Sequence, residues 1–595
     1  MTTTTAARGG AWLTEDAQHG SVLTPERLSE EHRLIARTAD EFIDKEVLPV
    51  LDRLEGKDWA LARALIARAG ELGLLGTDVP EALGGVDLDK AAAIVVGESA
   101  GRCASFATTF GAQTGLAVTP ILCFGTDDQK RRYVPRLVSG ELIGAYALSE
   151  SGSGSDALSA RARAVRQADG SFLLTGEKMW ITNGGFADLF IVFARVVDEA
   201  AAAGQGEFTA FLIERAFPGV SSGQEEHKMG LHGSSTTPLV LQEVPVPQES
   251  VLGEVGKGHK VAFNVLNYGR LKLAAMCSGG ARHVIAESAR YAAGRKQFGQ
   301  PIATFGAVRH KLAEMVVLEY AVESMLYRTA GLLDGALDGS HESGAVLAAL
   351  EEFAIEASIL KVASSEMLDV VVDENVQVHG GNGFVTDYPA ERQYRDARVN
   401  RIFEGTNEIN RLLIPGMLAR RAIKGTLPII SAAKRLQEEL LMPSPEPPGD
   451  GPLDGARRSV AGMKKVGLML LGTAMQTYGA KLSDEQEVLM RIADVLIDVY
   501  ASESALLRAL SAGTPLHHAA ARVVVNDAAG RAELAARETL AAMAEGDTLR
   551  MLLAALKRVL KPAPVNTVAL RRSLADALLE QGAYPFGAQS PRFGG

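Results

Sequence analysis

Cysteine is scarce. Cys103, Cys123 and Cys277 are the three in 595 residues, and no two of them form a CxxC pair. That excludes a disulfide framework and a thiolate metal site, and it suits a reducing compartment. Basic charge is not in excess either: 61 Lys and Arg face 72 Asp and Glu, a formal net charge of -11. Nucleic-acid binding therefore has no electrostatic footprint. No apolar run approaches the roughly 18 residues needed to cross a bilayer. The opening stretch, MTTTTAARGG, lacks the apolar centre of a signal peptide. There is no internal repeat and no GxGxxG after a strand-like run, so the Rossmann fingerprint does not apply. These absences lead us to expect a cytoplasmic protein with no metal and no nucleic-acid partner.

What is present is globular. Hydrophobic residues make up 47% and charged residues 22%, enough to bury large cores. The length suits about four domain-sized units. Residues 25–142 read as helices, and PERLSEEHRLIARTADEFIDKEVLPVL and DDQKRRYVPRLVSG carry helical apolar spacing, with Gly140 as a C-cap. The texture changes over 143–252 to short runs rich in Val, Ile, Phe and Thr, punctuated by Gly, Asn, Asp and Pro. That is the pattern of an antiparallel β domain. Residues 253–425 return to long helices. MPSPEPPGDGPLDG, 442–455, reads as a linker. A second helical block follows over 456–582.

Several motifs could carry chemistry, and each alone has a bland alternative. YALSESGSGSD, 146–156, follows a strand and packs hydroxyls and glycines into a loop that a cofactor could approach; it could equally be a structural turn. EKMWITNG, 177–184, places Trp180 and Thr182 on one face of a strand, where Trp180 covers a flat ring or simply fills a core. GRKQFGQP, 294–301, ends a long helix with Arg295, a pyrophosphate partner or a solvated cation. QVHGGNGF, 377–384, places three glycines after a helix. FEGTNE, 403–408, sets Glu404 between an aromatic residue and a glycine at the mouth of a helix. That is either first-turn electrostatics or a carboxylate kept in an apolar pocket.

In this order the motifs resemble those of the acyl-CoA dehydrogenases, over about residues 25–425. The added block, with LSDEQEVLMRIADVLIDVYASESALLRAL and a YPFG end, resembles the very-long-chain branch. The resemblance implies a mainly α fold: an N-terminal helical domain, a central antiparallel β-barrel domain, a four-helix bundle and an additional C-terminal helical domain. It implies FAD as cofactor, acyl-CoA as substrate, electron-transfer flavoprotein as electron acceptor and a homodimer. Tyr146, Leu148, Ser149, Ser155, Trp180, Ile181 and Thr182 match flavin contacts from the β domain. Arg295, Gln297 and Phe298 match contacts to the FAD of the neighbouring subunit, and Gln377, Gly380 and Gly381 match a loop around its phosphates and adenosine. Thr406 and Glu408 match the last flavin contacts. Ser155, Asn267, Arg270 and Gly405 match contacts to acyl-CoA. The chain departs from the pattern at Ser149, where Thr is usual, at Ser151, where Pro is usual, and at Glu408, where Gln is usual.

The resemblance makes Glu404 the catalytic base, removing the α-proton of the thioester. Such a proton is too weakly acidic for a carboxylate in water, so the site must raise the base's pKa and stabilise the enolate. Some branches place the base instead within the segment matching LNYGR, 266–270; that position is Gly269 here, which favours Glu404. The floor of the acyl pocket matches a helix over about 103–117, CASFATTFGAQTGLA, where small residues leave room for a long chain or simply allow close helix packing. An oxygen-using acyl-CoA oxidase and a non-catalytic assembly factor are the alternatives. GMKKVGLMLLGTAMQTYG, 462–479, joins two lysines to an apolar run and reads either as a helix buried on the core or as a peripheral membrane contact.

Overall fold

The computed structural model describes residues 7–198, 205–441, 449 and 451–586. Most of the 442–455 linker lies outside the described residues. Seven helices come first: α1 (Glu30–Phe42), α2 (Leu51–Glu55), α3 (Trp59–Glu71), α4 (Lys90–Gly101), α5 (Ala104–Gly111), α6 (Thr119–Phe124) and α7 (Asp127–Val138). Local chemistry sets their ends. Thr126 and Gln129 form a reciprocal capping box on α7, and Gly140 past its end takes φ +75°. Between α5 and α6 the chain widens into a π-helical segment, Ala112–Val118. The stretch expected as one helix over 103–117 is therefore two differently wound pieces, and the change of pitch re-aims the small side chains.

Eight strands build the central sheet: β1 (Gly144–Ala147), β2 (Arg163–Arg166), β3 (Phe172–Thr182), β4 (Leu189–Val197), β5 (Glu207–Glu214), β6 (Val220–Ser222), β7 (Thr236–Val246) and β8 (Val251–Leu252). Their order is β6-β7-β3-β2-β4-β5-β8, with β1 beside β4. Most pairs are antiparallel, but β4 runs parallel to both β1 and β2. The register of β3 against β7 shifts between Lys178 and Ile181.

The second helical region holds α8 (Gly258–Gly294), a short hairpin of β9 (Lys296–Gln297) and β10 (Gln300–Pro301), then α9 (Gly306–Leu337), α10 (Ser343–Glu352), α11 (Ala354–His379), α12 (Ala390–Ala397), α13 (Asn407–Ile423) and α14 (Ile429–Leu441). α11 continues through His379, so Gln377 lies in its last turn rather than in a loop, and Gly380–Phe384 form a 3-10 turn. The added block holds α15 (Asp454–Tyr478), α16 (Gln486–Ala512), α17 (Pro515–Met543), α18 (Gly546–Val559) and α19 (Thr567–Gln581). Its buried residues belong to the same hydrophobic cluster as those of α8, α9 and α11, so the block is docked on the bundle. Val466, Leu470 and Leu471 of α15 are fully buried. Lys464 is buried against Glu503 at 2.5 Å and Asp16 at 2.9 Å. The 462–479 segment is thus an internal helix and offers no basic amphipathic face to a bilayer.

Candidate active site

Glu404 stands in the tight loop that opens α13, where Thr406 caps the helix by accepting from the Ile409 N–H. Its φ is +56° and that of Gly405 is +78°. A non-glycine residue in the left-handed region is uncommon and needs surroundings that hold it there. Asn410 Nδ2 supplies them, lying 3.4, 2.9 and 3.1 Å from the carbonyl oxygens of Glu404, Gly405 and Thr406. Arg270 Nε donates to the Glu404 carbonyl at 3.2 Å. The loop turns the carboxylate onto α8 at Gly269. A methyl group on Gly269 would sit 2.8 Å from Glu404 Oε2. The missing side chain at 269 therefore makes room for the base itself.

Oε2 of Glu404 is buried and has no hydrogen-bond partner among the described residues. Burial pushes its pKa up to about 7, against the opposing charges of Arg270 and Lys361. Those two cations are themselves buried. Burial brings Arg270 down to about 10 and Lys361 down to about 8, so both are largely charged at neutral pH. Lys361 Nζ donates to Asn407 Oδ1 at 2.6 Å, beside the same loop. The backbone N–H of Glu404 donates to no group among the described residues. It is a ready donor for an oxyanion beside the base.

Glu404 and Phe403 line a cavity with Gly269, Leu273, Met276 and Thr182, enclosing about 750 Å³ of empty space with its open mouth. Ala104, Ala107, Thr108 and Gly111 of α5 form the opposite wall. Tyr146 of β1 lies close enough to Glu404 for the carboxylate's charge, after burial, to help raise its phenol pKa.

Trp180 is not in the core: it is 56% exposed, with φ +57°. The register shift in β3 breaks the alternation there and turns the indole outward, while Ile181 is buried. Ser149 accepts from the Met179 N–H at 2.9 Å. The loop containing Leu148 and Ser149 is anchored by a Glu150–Lys178 ion pair at 2.6 Å, and Ser155 is exposed beyond it. Asn267 is buried, and its Oδ1 accepts from Arg270 Nη1 at 3.0 Å. The structure thus shows Arg270 as a brace beneath the Glu404 loop. Glu408 is exposed.

The remaining expected cofactor residues gather elsewhere. Arg295 caps the far end of α8, 26 residues beyond Gly269 and roughly 39 Å along the helix. Gln297 and Phe298 follow it, and Phe298 is 93% exposed. The ends of α8 and α11 are held together by Tyr291 stacked on His379 at 3.9 Å, which brings Gln377, Gly380 and Gly381 to the same end. Arg295 pairs with no carboxylate among the described residues. The two groups cannot serve one flavin ring from one chain. Their chemistry fits FAD in complementary parts: an outward indole two residues before Thr182 of the Glu404 cavity, and a guanidinium without a carboxylate among the described residues, next to an open aromatic ring.

Sequence reasoning missed the braces Asn410 and Lys361, and two charged residues of the cavity wall, Lys272 and Asp396. Lys272 Nζ lies over the Tyr268 ring at 4.7 Å, and burial lowers its pKa to about 8. None of these carries a motif of its own; each is defined by a partner on another element.

Sequence profiles of acyl-CoA dehydrogenases match the N-terminal domain over residues 29–141, the middle domain over 145–244, and C-terminal domains over 256–418 and 462–558. The chain belongs to the acyl-CoA dehydrogenase family. It is 45% identical over 590 residues to a probable acyl-CoA dehydrogenase of Bacillus subtilis, covering 97% of this chain and 98% of that one. It is 41% identical over 385 residues to the human mitochondrial very long-chain specific acyl-CoA dehydrogenase, 64% of this chain and 56% of that protein. Among solved structures, an acyl-CoA dehydrogenase complexed with FAD from Bacillus anthracis superposes with a TM-score of 0.95 at 45% identity, covering 97% of this chain and 100% of that one.

Proposed function

We propose that the protein is an FAD-dependent dehydrogenase that converts long-chain acyl-CoA to the trans-2-enoyl-CoA in fatty-acid β-oxidation. The observation that carries this is Glu404: a carboxylate whose buried Oε2 has no hydrogen-bond partner among the described residues, facing a cavity, with its pKa near neutrality. In that setting Glu404 takes the α-proton, and its own backbone N–H stabilises the negative charge growing on the thioester oxygen. Bound FAD supplies the acceptor for the β-hydrogen as hydride. Thr182, Tyr146 and Trp180 would hold the flavin beside Glu404. Small residues along α5 and the depth of the cavity support a long chain. The test is anaerobic bleaching of the flavin by acyl-CoAs from four to twenty carbons. An optimum at four to six carbons defeats the long-chain reading, and no bleaching at any length leaves a non-catalytic relative.

The functional unit in this reading is a homodimer, because the Arg295 group lies too far from Glu404 to act within one chain. Electron-transfer flavoprotein is the acceptor in the same reading. Rapid reoxidation of the reduced enzyme by air, and none by electron-transfer flavoprotein, would instead make it an oxidase.

A further inference from the structure

Beyond the first cavity lies a second, with about 860 Å³ of empty space including its opening. The two share Gly101, Ala104, Leu368, Asp396 and Asn400 as common wall. One stripe of α8 runs through both: Gly269, Leu273 and Met276 line the first, and Gly280, His283 and Glu287 line the second. His283 lies fourteen residues past Gly269, roughly 21 Å along the helix. An extended chain advances about 1.2 Å per bond, judged from the reach of the backbone, so roughly 16 to 18 carbons separate the two positions.

The far chamber is not a plain hydrocarbon slot. His283 is half-buried, and its ring nitrogens have no hydrogen-bond partner among the described residues. Burial and the nearby Arg102 push its pKa down to about 4, so the ring is neutral and offers one donor and one acceptor. Asp396 Oδ1 accepts from the Leu231 N–H at 2.5 Å, and its Oδ2 has no partner among the described residues. The chamber's carboxylates are Glu55, Glu287 and Asp396, against the guanidiniums of Arg102 and Arg392. That is a net charge of -1, which disfavours a second carboxylate. A hydroxyl both gives and takes a hydrogen bond and brings no charge.

We propose that the second cavity receives the ω-end of a long acyl chain, and that His283 and Asp396 favour chains carrying a hydroxyl there. The inference rests on the long-chain reading above. The holoenzyme is assayed with hexadecanoyl-CoA, 16-hydroxyhexadecanoyl-CoA and the mono-CoA ester of hexadecanedioic acid. In the wild type, kcat/KM for the hydroxylated chain equals or exceeds that for the plain chain, and the dicarboxylic chain is worst. His283→Leu lowers the hydroxylated-to-plain ratio about tenfold, as expected when a hydroxyl is buried without its partner. Asp396→Asn, which keeps the bond to Leu231, lowers the ratio less. Bleaching by hexadecanoyl-CoA shows that each variant is folded. A wild type that handles the hydroxylated chain tenfold worse than the plain one overturns the proposal, and so does a ratio unmoved in His283→Leu. Activity on octanoyl-CoA with none on hexadecanoyl-CoA sinks the long-chain reading and this inference with it.

Discussion

Two buried clusters of charge can be set side by side. Around Glu404 the Oε2 of the carboxylate has no hydrogen-bond partner among the described residues, and burial lifts the pKa to about 7. At the seam between the added block and the bundle, Arg508 of α16 is fully buried and satisfied on every side. It donates to Glu323 at 2.7 Å, to Glu26 at 2.6 Å and to the Phe586 carbonyl at 3.2 Å, and lies over the Tyr320 ring at 4.5 Å. Glu323 also accepts from Arg282 at 3.1 Å and from Tyr584 at 3.0 Å. Against the burial of Glu26, Arg508 holds that carboxyl well below its usual range. A third carboxylate, Glu319, is driven well above its usual range by burial and by Glu323. Both regions bury ions, and both leave a carboxylate oxygen unpartnered among the described residues, Oε2 of Glu26 and of Glu319 at the seam and Oε2 of Glu404 at the site. The difference is the cation: at the seam Arg508 bonds two carboxylates and so ties two parts of the chain together, whereas among the described residues no guanidinium or ammonium bonds the carboxylate of Glu404, which stays a reactive base.

The sharpest way to break the comparison is to remove each charge in turn. Glu404→Gln should cut flavin reduction by about 10²–10⁴-fold, the usual contribution of a single general base, while FAD and acyl-CoA still bind. Stopped-flow bleaching checks this, and near wild-type reduction would remove Glu404 from the mechanism. The same variant should not lower the melting temperature.

Arg508→Ala should do the reverse. It takes the guanidinium from half-buried Glu26 and leaves buried Glu323 with Arg282 alone, a loss of about 3–5 kcal/mol. Thermal and urea unfolding measure it, with loss of the docked block as the expected first step. The folded fraction should reduce its flavin with an unshifted pH profile. A destabilisation under 1 kcal/mol would mean that the seam is not held by this ion network.

Gly269→Ala tests how closely the base is fitted. A methyl group 2.8 Å from Oε2 must displace the carboxylate, and a misplacement near 1 Å costs about 10²-fold. Flavin content should stay full while kcat/KM falls. Unchanged kinetics would show that the loop gives way without consequence.

The contrast also explains what was legible in the sequence. The FEGT loop, the β-domain loop and the hairpin after α8 are local strings, and local strings show their residues. Trp180 read alone as a core residue because strand alternation cannot reveal a bulge. The 103–117 segment read as one helix because its composition carries no sign of a π turn. Asn410 and Lys361 were silent because their roles come from partners on neighbouring elements. Arg508 lies 482 residues from Glu26, a separation at which no local pattern survives. The two readings of 462–479 stayed open for the same reason: Lys464 suits a surface or a buried helix until Glu503 and Asp16 are placed beside it.

The smallest expected effect concerns pH, and it tests the difference between the regions most finely. A base with pKa about 7 must be ionised to act, so kcat/KM should rise about tenfold from pH 6 to pH 8. Stability should move the other way. The unfolded carboxyl titrates near 4.5, so between that value and about 7 the native state binds the extra proton. Stability then falls as pH rises through this window, because the unfolded carboxyl ionises in water while the buried one still holds its proton. Glu404→Gln removes that liability. Its melting temperature relative to wild type should therefore climb between pH 5 and pH 8, and a difference that stays flat or shrinks would show that the carboxylate is not held protonated by burial.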